Sequence, residues 1–459
     1  MGSPVRRIHH PGDIPLPIED PARTPYRLMS ANVSKVRAFR HRPAGLLILG
    51  GMVAVGLLGT PAEGVRVGEV TEFSSGIPPA AGLADLAPAP DGVVRFAQYS
   101  ADRLGSIDRR GRVTQTPLPA GSGPRGVAYG PDGNMWVTFA DHGSIARIGE
   151  DGRISQFRRG IPPNAQPQFI ASGPDGNLWF TLSEVPAIGR ITATGRINLF
   201  RDGLPTEAEF ITPGPDGALW FTLPQSDAVG RITTRGAVTI HRRGIPVGST
   251  PWDIVAAPDG RLWFTMVGTS RIGRISTSGR VESFPLSAPG LGIAVGADRN
   301  IWVTQPGTDS VTRVTGKGRA TAFTTGISAG AEPHGISGGP LGSLWFGELA
   351  GDRIARITTG AAPPPHRPVV RDSHTGPERI SATVRVPDGG WLSLSARSRG
   401  SSTPCVGARW VKHRGVSAVS CLRPDGDGRP RAAWRLRVTF TPFGGSPGVT
   451  TETISRGRG

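Results

Sequence analysis

GPDGNMWVTF, residues 130–139, decides how this chain is read. A Pro-Asp-Gly turn runs straight into alternating apolar side chains, the pattern of a tight turn entering a strand. Glycine there accepts a positive φ and aspartate bonds its own backbone. The decapeptide returns as GPDGNLWFTL (173–182), GPDGALWFTL (214–223), APDGRLWFTM (257–266), GADRNIWVTQ (296–305) and GPLGSLWFGE (339–348). Its tryptophans, Trp136, Trp179, Trp220, Trp263, Trp302 and Trp345, lie 43, 41, 43, 39 and 43 residues apart. A weaker copy, APDGVVRFAQ (89–98), puts Arg95 in the tryptophan position 41 residues earlier, which makes seven copies. A fixed period of this length is the signature of a repeat architecture.

Each unit divides into four short strands: GVAYG (126–130), NMWVTF (134–139), SIARI (144–148) and RISQF (153–157) in the second copy. Four antiparallel strands at this spacing form one β-propeller blade. The fourth-strand pattern recurs from RVTQT (112–116) to RATAF (319–323) and is missing after the seventh copy, while EVTEF (69–73) stands alone ahead of the first. The N-terminal strand is therefore predicted to complete the last blade, closing the ring without an open sheet edge. The expected fold is all-β: a seven-bladed propeller over residues 66–360, a Pro-rich linker at 361–368, and a small β-sandwich-like domain at 369–459. The chain's only cysteines, Cys405 and Cys421, fall in that last domain. In an exported protein they are expected to pair, with two buried thiols as the alternative.

Charge is distributed unevenly. Residues 1–42 carry 8 Lys and Arg against 3 acids and residues 361–459 carry 16 against 6, which leaves 28 against 26 between them. A nucleic-acid binder gathers a basic face with aromatic platforms. The nearly neutral propeller offers neither, so no nucleic-acid partner is expected. The basic C-terminal domain is read as a solvated face able to contact an anionic cell envelope, and the protein as a monomer. Upstream, Lys35, Arg37, Arg40 and Arg42 precede the apolar run AGLLILGGMVAVGLLG (44–59). Residues 1–62 are read as an extension followed by a signal peptide cleaved after about Ala62. The protein is then secreted or extracytoplasmic; the alternative is an uncleaved membrane anchor at 44–62.

Two positions stand out in the seventh copy. His334 precedes its first strand and Glu348 ends its second, so both are expected at one mouth of the central channel. The matching first-strand positions are Ala84, Arg125, Gln168, Glu209, Trp252 and Leu291, and the second-strand ones are Gln98, Phe139, Leu182, Leu223, Met266 and Gln305. Gln98, Arg125, Gln168, Glu209, Trp252 and Gln305 are the polar or amphipathic members and are expected to line a ligand site. A histidine can act as a base near neutral pH, and a neighbouring carboxylate can orient it.

The units WFTLSEVPAIGRITATG (179–195) and WFTMVGTSRIGRISTSG (263–279) resemble the virginiamycin B lyase (streptogramin lyase) family, and the resemblance spans the whole propeller. It implies Mg2+-assisted elimination at the ester of a cyclic depsipeptide, with a base taking a Cα proton as the C–O bond breaks. It matches the family's EPHGI and WF-x-E pattern at Glu332–Ile336 and Trp345–Glu348, which implies His334 as catalytic base and Glu348 as its partner or a Mg2+ ligand. The chain departs from the pattern at Leu291, where the family has a second histidine, and at Ala84, where it has a tyrosine. Two readings follow: a lyase acting on a cyclic or ester substrate, or a non-catalytic propeller binding a small molecule, peptide or glycan at the same mouth. No nucleophile–base spacing points to a hydrolase.

Overall fold

The computed structural model describes residues 66–375, 379–398, 405–412, 414–422, 434–445 and 447–454. The signal peptide expected within 1–62 lies outside them. Strands from Val70 to Thr358 form seven four-stranded antiparallel sheets, each holding one copy of the repeat. Neighbouring blades touch through their first strands, and Pro333–Gly338 of blade seven meets Leu83–Pro88 of blade one, so the ring closes. As expected, Val70–Phe73 pairs with Arg353–Thr358 and supplies the outer strand of blade seven.

The repeat's side chains explain why blades form and stack. Trp136, fully buried, stacks on Phe157 at 5.7 Å, and its Nε1–H donates to the turn carboxylate of Asp132 at 3.0 Å. The Arg147 guanidinium lies over both rings and donates to the Ala193 carbonyl of the next blade at 2.7 Å. Trp179, Phe200 and Arg190 repeat the column one blade on, with Arg190 reaching the Thr234 carbonyl. A second link is made by the threonine two residues after the tryptophan. Thr138, Thr181, Thr222, Thr265 and Thr304 donate their hydroxyls to the carbonyls of Gln168, Glu209, Trp252, Leu291 and His334 in the following blade. Ala97 and Gly347 occupy this position in blades one and seven, so the link is missing on both sides of blade one.

The C-terminal segment forms a three-stranded sheet (Val369–Thr375, Arg379–Val386, Gly415–Leu422) and a four-stranded sheet (Gly390–Ser398, Cys405–Val411, Trp434–Pro442, Gly448–Ile454). Both contribute to one apolar core, and the Cys405–Cys421 disulfide joins one sheet to the other. This domain sits on the rim made by the Pro-Asp-Gly turns. Arg437 bonds Glu150 at 2.6 Å and Tyr129 at 2.7 Å, and Arg299 bonds Asp388 at 3.0 Å. Trp391, Trp410 and Phe443, with the ends of the first strands, line an open cavity of about 250 Å³. The sandwich thus covers the end of the channel opposite the mouth.

Candidate functional site

The channel wall at the mouth is built by a bulge. In five blades the pairing of first and second strands skips two residues: 84–85, 125–126, 168–169, 252–253 and 334–335. A bulge breaks the strict alternation of a strand and re-aims consecutive side chains. Here it places the predicted ring residues and their successors along the channel.

Arg125 is the electrostatic centre of this ring. It is nearly buried, and its guanidinium lies 4.6 Å from the centre of the Tyr99 ring. Tyr99 in turn donates its hydroxyl to Asp141 at 2.9 Å. Burial lowers the His334 pKa to about 4, the Arg125 charge pushes in the same direction, and a hydrogen bond to the Ala84 backbone opposes them. Burial raises Glu209 to about 7, against the pull of Arg125. Arg125 therefore acts on groups from blades four and seven at once. His334 is neutral at pH 7 and oriented by its bond to Ala84.

Blades three to five contribute an aromatic cluster. Phe169 and Phe210 stack at 3.5 Å, and Trp252 lies 6.4 Å from Phe210. At the same repeat position as Phe169 and Phe210, blades one and five carry Asp85 and Asp253. Asp85 accepts N–H bonds from Leu86 and Val127, and Asp253 from Ile254 and Ile293. Burial raises both, Asp85 to about 7, and the Asp85 charge raises Asp253 further. Gln168 takes its place in the ring, but its amide is engaged with Ser183 at 2.9 Å and with the Gln166 carbonyl.

The second-strand set does not line the mouth. These strands have no bulge, so the residue three after the tryptophan faces the neighbouring blade. Phe139, Leu182, Leu223 and Met266 belong to inter-blade cores. Gln98 is fully buried and bonds Gln115 at 2.5 Å, while Gln305, also buried, donates to Ala288 at 2.6 Å and accepts from Ser310. Glu348 corrects the expectation of a His–Glu pair. Its backbone pairs with Pro333, yet its fully buried carboxylate lies beside Glu72 and Arg353, 3.9 Å from the latter. Burial raises its pKa to about 8, with the Glu72 charge adding and Arg353 opposing. Arg125 and the Ala84 backbone act on His334, whereas Glu72, Arg353 and Asp309 act on Glu348.

The residues present do not fit Mg2+. Among the described residues no three His, Cys, Asp or Glu side chains gather as a metal group. Arg125 stands beside His334 and Glu209, so a guanidinium already offsets the ring carboxylate that a hard cation would need. Sequence reasoning missed Tyr99, Asp141, Asp85, Phe169, Phe210 and Asp253. Asp85, Phe169 and Asp253 follow ring residues directly in bulged strands, so the bulge was the missing signal for them.

The sequence profile of the virginiamycin B lyase family matches residues 62–210 and 205–363. A virginiamycin B lyase structure from Staphylococcus aureus is similar at 31% identity and a TM-score of 0.58, covering 63% of this chain and 98% of that one. A catalytically inactive histidine-to-alanine variant of the Staphylococcus aureus enzyme, with quinupristin, is similar at 31% identity and a TM-score of 0.59, covering 63% of this chain and 99% of that one. Over 35 residues the chain is 54% identical to the virginiamycin B lyase of Mycobacterium sp. strain KMS, a match spanning 8% of this chain and only 12% of that relative.

Proposed function

This chain belongs to the virginiamycin B lyase family, and we propose that it opens a cyclic depsipeptide or related ester by C–O elimination at the mouth beside His334. One observation carries the reading: a neutral His334, fixed by the Ala84 backbone, faces the charge of Arg125. The imidazole takes the Cα proton, and the C–H electron pair becomes the Cα–Cβ double bond. The Cβ–O bond breaks with its electrons on the leaving carboxylate, which Arg125 receives. No water is consumed. In the free protein Arg125 makes His334 a weak base. The charge developing on the leaving group offsets Arg125, so imidazolium becomes favourable as the C–O bond breaks. Stabilisation that appears only in the transition state is what accelerates a reaction. Phe169, Phe210 and Trp252 offer a surface for the apolar side of such a ring.

A second reading, ligand binding without chemistry, rests on Leu291 in place of a second polar group and on Glu348 turned into the blade interface. Incubating the protein with a type B streptogramin and following the product by chromatography and mass spectrometry decides between them. Elimination gives a ring-opened product of unchanged mass, and hydrolysis adds the mass of water. Saturable binding with no ring opening establishes the second reading and refutes the first.

The proposal includes work outside the cytoplasm, on the strength of the basic stretch Lys35–Arg42 before the apolar run 44–59. A mature N-terminus that does not map near Ala62 overturns that part.

A further inference from the structure

The outer face of the three-stranded C-terminal sheet carries a pattern that the mouth does not use. Its inward residues Ile380, Ala382, Val384 and Val386 are buried in the sandwich core, so the alternate residues face solvent. Register places Val369 opposite Arg385 and Arg385 opposite Val416, giving a row of valine, arginine and valine across three strands. Val369 is 49% exposed and Val416 64%, making them two of the four exposed large hydrophobics among the described residues. Arg367, Arg371, Arg385 and Arg414 line a cleft of about 480 Å³ beside this row. Among the described residues Arg367, Arg371 and Arg385 make no ion pair, and Asp372 is the sheet's one carboxylate.

We propose that this face docks on a bilayer bearing anionic phospholipids, with headgroup phosphates in the arginine cleft and Val369 and Val416 among the headgroups. Guanidinium pairs with phosphate oxygens in bidentate fashion, and small apolar side chains flanking cations suit the interfacial region of a membrane. No aromatic side chain lines the cleft to stack on bases, which sets the face apart from a nucleic-acid platform. The site lies on a domain separate from the mouth, so it stands or falls independently of the lyase reading.

The test is co-sedimentation of the full chain with phosphatidylcholine vesicles, with and without phosphatidylglycerol. The expected result is preferential binding to the phosphatidylglycerol vesicles that weakens as salt is raised. An R371Q/R385Q chain should lose about 25-fold in partitioning to those vesicles, roughly five-fold for each arginine removed. V369S/V416S should weaken binding to them without changing its salt dependence. The proposal is overturned if both vesicle types bind the protein equally or if R371Q/R385Q binds like the parent chain. It is also overturned if inorganic phosphate or duplex DNA displaces the vesicles at concentrations matched in phosphate, since the face would then be a soluble-anion or nucleic-acid site.

Discussion

The repeat offers two comparable sets of seven positions, one at the start of each first strand and one at the end of each second strand. Both are near the same rim, and both carry one exceptional residue in blade seven, His334 and Glu348. Their fates differ because one strand bulges and the other does not. The bulge breaks the period of two and turns the first-strand residues to the channel. The regular second strand sends its last residue between blades, where four of the seven are apolar core. Identity within the repeat is therefore a weaker guide to role than the local backbone beneath it.

The sharpest way to break this comparison is His334→Ala. Its loss should reduce ring opening by about 10²- to 10⁴-fold, the contribution typical of a general base, with little change in the melting temperature. Equal turnover would show that the first-strand set is not the reacting one. Arg125→Gln tests the electrostatic link within that set. Removing the charge should raise the His334 pKa from about 4 toward the ordinary 6.5, read by NMR titration of the imidazole. Turnover should fall about ten-fold or more, as expected when a charge-assisted hydrogen bond is lost. EDTA should leave wild-type turnover unchanged, because the Arg125 guanidinium already sits beside the ring carboxylate Glu209.

Residues elsewhere on the second strands should respond in stability instead. Thr222→Val removes the hydroxyl that caps the Trp252 carbonyl and should cost about 1–3 kcal/mol in chemical denaturation. Glu348→Gln gives the most diagnostic effect. The folded pKa of Glu348 is raised from 4.5 to about 8, so the fold favours the neutral acid. Wild-type stability is then full below pH 4.5 and is lost as pH rises through about 8. The Gln variant should match wild type in acid and exceed it in base, with ring opening unaffected. A loss of turnover at neutral pH would restore Glu348 to the site.

Much of this was legible in the residues. The period fixed by Trp136 to Trp345 gives the blades, and the stranded EVTEF gives the closure. Counting from the turns finds Arg125, Glu209, Trp252 and His334. What counting could not supply was direction. Bulge geometry is set by pairing with the second strand, so Asp85, Phe169 and Asp253 read as ordinary strand residues. Glu348 looked like a partner for His334 because the two are close along the rim, but a carboxylate's neighbours also include Glu72, 276 positions away in sequence. The covering of the far channel end by Trp410 and Phe443 was equally invisible, since sequence spacing says nothing of how a separate domain docks.

That covering has a kinetic consequence. With Trp391, Trp410 and Phe443 packed over the ends of the first strands, the two ends of the channel are unequal, one partly covered and the other carrying His334 and Arg125. On the lyase reading proposed above, substrate would enter and product would leave past Arg125. An opened chain still held there by its new carboxylate would block the next arrival. Turnover at high substrate should then follow the departure of that acid, and added linear product should slow the protein more than its affinity for the intact ring would suggest.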